Sequence, residues 1–215
     1  MKSLLLLPLA FFSLLSCAQQ SSDSTSLDKP SQEELETMQT AYFASGCFWC
    51  VEAIFESVDG VSEAVSGYAG GVKPNPNYRI VSSGNSKHAE TVKVYYDSSK
   101  VSFETLVEVF FNSHDPSTKN AQGPDHGPQY RSIAFYQNQD EQSIIQRKIK
   151  EYRAAQTFSR ITTEVKELDV FYEAEAYHQD YERLHPNQAY IKAVSIPRLN
   201  KFKKKMPWVL KDGEH

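Results

Sequence analysis

AYFASGCFWCVEAIF, residues 41–55, changes its period partway along. AYFAS reads as a short strand, whereas Val51, Ile54, Phe55 and then Val58 recur at the spacing of a helix with one buried stripe. Cys47 falls at the joint between the two, at or just before the helix N-terminus, and Asp59-Gly60 ends the helix. Downstream, VSEAVSGYAGG (61–71) is a second strand running into a Gly-rich turn, and a loop (72–89) follows. ETVKVYY (90–96) alternates, with Val92, Val94 and Tyr96 on one face and Thr91, Lys93 and Tyr95 on the other. Ser102 is an N-cap for a helix carrying Phe103, Leu106, Val107, Phe110 and Phe111. A loop then leads to a strand at 130–136. Asn138 and Glu141 form a capping pair for a helix whose inner side holds Ile144, Ile145, Lys148, Ile149 and Tyr152. A short strand is expected near 162–168.

Strand, helix, strand, strand, helix, strand is the split βαβ, ferredoxin-like order, so an α+β two-layer sandwich is expected. The remaining chain reads as a long irregular C-terminal segment with a short helix near 174–183 and a basic stretch, KFKKK (201–205), read as a solvated surface.

Before the first strand the chain has a different character. MKSLLLLPLAFFSLLSC has one Lys and an apolar stretch from Leu4 to Leu15, too short to span a bilayer comfortably and suited to the h-region of a signal peptide. Leu14, Leu15, Ser16 and Cys17 resemble the lipobox of bacterial lipoproteins, in which the cysteine becomes the lipidated first residue. The expected organisation is therefore 1–17 signal peptide, 18–40 flexible polar tether, 41–205 catalytic domain and 206–215 tail. The expected location is outside the cytoplasm, on a bacterial membrane through a lipid on Cys17. A net charge of −4 gives no footing for a polyanion-binding role.

With Cys17 used in export, only Cys47 and Cys50 of the three cysteines remain for the domain. A structural disulfide between them would close a very small loop and constrain the unfolded chain little. A thiol at a helix N-terminus feels the partial positive charge of unpaired N–H groups, which is expected to lower the Cys47 pKa. Residues three apart on a helix have Cα atoms about 5 Å apart, so the pair can close and open. CxxC after a strand is also the signature of thioredoxin-like oxidoreductases, and the pair alone does not separate these readings.

A metal site lacks the usual partner spacings. His178 and His185 are seven apart, and His88-Ala89-Glu90, though similar to the H-x-E of zinc deaminases, follows the cysteines rather than preceding them. Glu90 stands out by parity. It begins the apolar face of Val92, Val94 and Tyr96, where partial desolvation would raise its pKa and let it hold a proton near neutrality. Tyr78 and Tyr130 sit in loops, in NPNYR and GPQYRS.

GCFWCVEAIF, GYAGG with NYRIVSSGNSKHAETVKVYYD, FFNSHDPSTKNAQGPDHGPQYRSIAFY and FYEAEAYHQDY together resemble the A class of peptide methionine sulfoxide reductases, over residues 41–205 and in order. The resemblance implies reduction of methionine sulfoxide, free or in proteins, with preference for the S epimer at sulfur. It implies Cys47 as nucleophile, Phe48 and Trp49 as the aromatic pair around the sulfoxide methyl group, Glu90 as the acid that protonates the sulfoxide oxygen, and Tyr78 and Tyr130 as hydroxyls bonded to that oxygen. Asp125 matches a residue near the substrate backbone. No cofactor is expected, the electrons coming from a thioredoxin-like protein or another dithiol reductant. The commoner family sequence is GCFWG, and many members carry recycling cysteines near the C-terminus, where KKKMPWVLKDGEH has none. Cys50 is thus the internal candidate to attack a Cys47 sulfenic acid. The alternative is a membrane-tethered thiol-disulfide oxidoreductase, which needs CxxC but has no use for Glu90, Tyr78 and Tyr130.

Overall fold

The computed structural model describes residues 29–213, so Cys17 and the first part of the tether lie outside the described residues. Its frame is a six-stranded sheet. The strands β1 (Gln39–Ser45), β2 (Val61–Ala69), β3 (Ala89–Tyr96) and β6 (Ser132–Tyr136) supply its centre, and β7 (Glu164–Glu167) and β8 (Phe171–Glu173) its two edges. The order is β7-β6-β1-β3-β2-β8. β3 runs antiparallel to both β1 and β2, so β1 and β2 are parallel with another strand between them, which is the expected split βαβ. β6 pairs antiparallel with β1 and parallel with β7. A two-residue hairpin, β4 (Ala121–Gln122) and β5 (Asp125–His126), stands apart from this sheet.

Alternation sorts the side chains. Ala41, Phe43, Val92 and Val94 join α2 (Phe48–Glu56) and α4 (Phe103–Ser113) in the main core, while Tyr42, Ala44, Ile133 and Phe135 form a smaller cluster on the other face. Phe43 is the centre of the first, its ring stacked 5.1 Å from Phe55 and 5.2 Å from Phe110. Local capping works as the residues suggest. Ser102 Oγ accepts from Thr105 N at the start of α4, and Asn138 Oδ1 accepts from Glu141 N at the start of α5 (Gln139–Ala154).

Several boundaries differ from those expected. The span assigned to the tether already contains a capped helix, α1 (Gln32–Glu36), Lys29 is paired with Glu63 and Asp180, and β1 begins at Gln39. The loop at 72–89 contains a short helix, α3 (Tyr78–Ser82), capped by the Asn77 side chain. Tyr130 precedes its strand and closes a 3₁₀ turn, Pro128–Tyr130. In place of one helix near 174–183 there is a 3₁₀ turn, Ala176–His178, and then α6 (Tyr181–Leu184), divided by Asp180 at φ 55°.

The C-terminal segment is not irregular. A π-helical turn, Ile191–Ser195, leads into α7 (Ile196–Lys205), which carries KFKKK, and α7 packs back on α2 and α4. Nor do residues 206–213 form a loose tail. Met206, Val209 and Leu210 are buried with Phe202, and Leu210 bridges to Val58. Burial of that apolar stripe is what holds the segment down.

β2 and β8 approach closely at Gly67, where a Cβ would lie 2.2 Å from Phe171 Cζ and 2.5 Å from the Tyr172 carbonyl oxygen. The backbone contact cannot yield without opening the β2–β8 pairing. Gly67→Ala is therefore expected to destabilise the fold by about 1–3 kcal/mol, read from denaturant unfolding; an unchanged midpoint would show that the edge strand has room to move.

Candidate active site

The strand-to-helix joint builds the site. Gly46 takes φ +98°, and a Cβ there would meet Gln122 Cβ at 2.7 Å, so glycine is required to turn β1 into α2. Cys47 is then the N-cap of α2 and makes no side-chain capping bond; Cys50 lies one turn on. The two are free thiols, 6% and 1% exposed.

The first amide of α2 finds its partner on the sheet. Phe48 N donates to Glu90 Oε2 at 3.0 Å, so the carboxyl at the start of β3 is held against the helix N-terminus, beside Cys47. Burial pushes the Glu90 pKa up to about 8, the Phe48 N–H opposing and the nearby Asp125 and Cys50 charges assisting. At neutral pH Glu90 carries a proton, as its parity implied.

Cys47, Phe48, Trp49, Glu90, Tyr78 and Tyr130 all line one cavity of about 240 Å³, completed by Asp125, Gln188 and Tyr190. Every residue that the sequence assigned to catalysis or substrate binding is therefore on this cavity, apart from Cys50, which lies one turn along α2 from Cys47 and does not line it. Tyr78 opens α3 and Tyr130 ends its 3₁₀ turn, two loops brought to the same point. Both hydroxyls are pushed up by burial and by Glu90, Tyr78 to about 12, so both remain hydrogen-bond donors. Phe48 and Trp49 supply the apolar wall, with ring centroids 6.3 Å apart.

Cys47 departs from expectation. Burial, the hydrogen bond with Cys50 and the Glu90 charge hold its thiol well above the ordinary range, so the helix N-terminus does not make it a resting thiolate. Desolvation of the charged form outweighs the helix field here. Its partner moves the other way: the hydrogen bond from Cys47 and the Arg198 charge bring the Cys50 pKa down to about 6.

The sequence reading gave no role to three residues of this site. His178 Nδ1 accepts from Trp49 Nε1 at 3.2 Å, and burial lowers the His178 pKa, so the ring is neutral with its proton on Nε2. Its ring also packs 4.9 Å from Phe48 and 4.6 Å from Tyr78, fixing three walls of the cavity at once. Tyr190 donates to Asp125 Oδ2 at 2.6 Å and lies 3.9 Å from Cys50 Sγ. Glu175 accepts from the Tyr78 amide and the Tyr68 hydroxyl, anchoring the loop that presents Tyr78. His178 and Glu175 lie in FYEAEAYHQDY, the one signal that pointed here.

Behind α2, Glu52 is buried, accepts from Ser66 Oγ and Asp180 N, and is pushed up to about 9 by burial and by Glu56. Among the described residues, Glu52, Glu56 and Asp180 form an acidic trio, and Asp180 is paired with Lys29 and Arg183. His88, the histidine of the deaminase-like triplet, accepts from Gly71 N and is bonded through Nε2 to the Lys73 carbonyl.

A thiol poised beside a carboxylic acid and two phenol donors, at the foot of an apolar slot, suits removal of an oxygen from a small neutral group: sulfur takes the oxygen and the acid protonates it. Fold and site thus define a cysteine-dependent oxidoreductase. Residues 39–209 match the family model for peptide methionine sulfoxide reductase, and the chain belongs to that family.

Among its relatives, "Peptide methionine sulfoxide reductase MsrA 1" of Rhodopirellula baltica is 49% identical over 164 residues, which is 76% of this chain and 85% of that protein. The MsrA of Nautilia profundicola is 45% identical over 78% of this chain and 95% of its own. Among solved structures, methionine sulfoxide reductase A of Corynebacterium diphtheriae superposes with a TM-score of 0.63 at 35% identity, covering 70% of this chain and 76% of that one. Reduced Mxr1 of Saccharomyces cerevisiae gives 0.66 at 32%, covering 70% and 87%.

Proposed function

We propose that this chain reduces the S epimer of methionine sulfoxide, in proteins and as the free amino acid, and recovers through a Cys47–Cys50 disulfide. The observation that carries the reading is the shared cavity of Cys47, protonated Glu90 and the Tyr78 and Tyr130 hydroxyls, walled by Phe48 and Trp49. A sulfoxide placed with its methyl group on the aromatic wall turns its oxygen to the three donors. Cys47 Sγ attacks the sulfoxide sulfur while Glu90 protonates the sulfoxide oxygen; that oxygen passes to Cys47 Sγ as its bond to the substrate sulfur breaks, and the products are methionine and a Cys47 sulfenic acid. The proton that Cys47 loses replaces the one Glu90 gives, so the step needs no further reactant.

Cys50 then attacks the Cys47 sulfur, an S–S bond forms, the S–O bond breaks and water leaves. A thioredoxin-like protein or another dithiol reductant reopens the disulfide. The thiol-disulfide oxidoreductase alternative leaves the acid and the two phenols without a task. The test is methionine release from a racemic sulfoxide peptide with a dithiol reductant. Conversion should stop at half of the pool; no release, or complete conversion, would overturn the reading or its epimer preference.

The membrane assignment rests on Leu14 to Cys17 and the polar residues after it. In this reading Cys17 is diacylated and the catalytic domain faces away from the cytoplasm. Cys17→Ala is expected to move the protein from the membrane to the soluble fraction, followed by fractionation and immunoblotting. Partition of the variant with the wild type would remove the lipid anchor.

A further inference from the structure

The basic run KFKKK does not spend all its charge on open solvent. Residues three and four apart on a helix share a face, and in α7 that spacing gathers Arg198, Lys201 and Lys205 onto one side with Phe202. This side of α7, the residues that end α4 and the β4–β5 hairpin border a second cavity of about 380 Å³. Asp125 lines it and the catalytic cavity alike, so the two are neighbours across one residue.

The walls of the second cavity are tied to the catalytic joint. Gln122 Oε1 accepts from Asp115 N at 3.1 Å, which joins the hairpin to the end of α4. Arg198 Nε donates to the Ser113 carbonyl and its Nη2 to the Ser45 carbonyl, both at 2.9 Å, and among the described residues its Nη1 makes no hydrogen bond. A Cβ on Gly46 would meet Gln122 Cβ at 2.7 Å and Arg198 Nη1 at 3.3 Å. The cavity therefore begins beside the turn that presents Cys47.

Its lining is unevenly charged. The cations are Arg198, Lys201 and Lys205 and the anions Asp115 and Asp125, while burial brings the His114 pKa down to about 3 and leaves that ring neutral. Both carboxylates are already engaged. Asp115 Oδ1 accepts from the Ser117 amide and hydroxyl, and Asp125 Oδ2 from the Tyr190 hydroxyl. Lys205 Nζ lies over the Phe158 ring at 5.8 Å, and among the described residues neither it nor Lys201 forms an ion pair. Like charges at helical spacing repel one another. The helix C-terminus compensates only in the last turn, which holds Lys205 but not Arg198. What would settle three cations on one wall is an anion brought by the substrate.

We propose that the second cavity is a substrate subsite, which takes the side-chain carboxylate of an acidic residue flanking the methionine sulfoxide of a peptide. The sulfoxide enters the catalytic cavity, and the peptide passes Asp125 to lay its carboxylate against Lys201 and Lys205. Neither lysine lines the catalytic cavity, so both set specificity and neither is catalytic. The inference rests on the reduction of sulfoxide in proteins given above and adds the class of sequence that is reduced fastest.

The test uses N-acetylated, C-amidated glycine peptides with one methionine sulfoxide and either Glu or Gln at each of the two positions before and after it, with a dithiol reductant. At one of these positions Glu should be preferred over Gln by about three- to fivefold in kcat/KM, carried by KM, which is the size of a partly exposed ion pair. The preference should fade in about 0.5 M salt, a readout that needs no variant. Lys201→Met combined with Lys205→Met should bring the ratio to about one. Lys201→Glu combined with Lys205→Glu should favour Lys over Gln at the same position, an inversion that a merely structural loss would not produce. A ratio near one at every position overturns the subsite, as does a preference that survives the paired methionine variant or that is gained only from a free terminal carboxylate. Turnover of the Gln peptides separates the two readings: with it, a flat ratio sinks the subsite alone, and without it the reduction of sulfoxide in proteins fails and the subsite with it.

Discussion

Replacing Glu90 with glutamine is expected to slow the reduction of methionine sulfoxide by about 10²- to 10⁴-fold, the usual range for loss of a general acid. The amide keeps the size of the group and its contact with the helix but has no proton to give. The wild-type rate also carries a sign. Burial raises the Glu90 pKa to about 8, so the acid form dominates below that pH and is lost as pH climbs through it. The first step should therefore fall on the alkaline side of about 8, and that limb should be absent in Glu90→Gln. Stopped-flow single turnovers across pH measure both effects. Single-turnover rates near wild type at neutral pH would exclude Glu90 as the acid.

Cys50→Ser is expected to release one methionine per chain and then halt when a thioredoxin-like protein is the reductant. No other cysteine follows Cys50 in the sequence, so nothing internal replaces it. A small thiol reagent should rescue part of the turnover by reducing the sulfenic acid directly. Cys47→Ser, by contrast, should yield no methionine at all. Sustained cycling of Cys50→Ser with the protein reductant would mean that the partner attacks Cys47 itself, and the disulfide step would be discarded.

What the sequence disclosed follows the range of the interactions. The alternation of 90–96, the caps at Ser102 and Asn138 and the stripe of α2 are decided within a few residues, and all are found in the structure. Parity alone located Glu90, because a strand must send every second side chain to the same face. Tyr78, Tyr130 and Asp125 were legible only through family resemblance, since loops give no period from which to argue. His178 and Tyr190 were missed for a related reason: their partners, Trp49 and Cys50, are 129 and 140 residues away. The basic run hid α7, whose buried side consists of Phe202 and its neighbours. The direction of the Cys47 pKa was misjudged because a helix N-terminus is visible in sequence, whereas the depth at which it is buried is not.

The long return of the chain also has a meaning in time. Cys47 and Cys50 are made early, but the residues that roof them, from Tyr190 through Arg198 to Phe202, come close to the end. A chain emerging from its N-terminus exposes both sulfurs until that last stretch arrives. A polypeptide interrupted before α7 would therefore lack the residues that cover its two thiols.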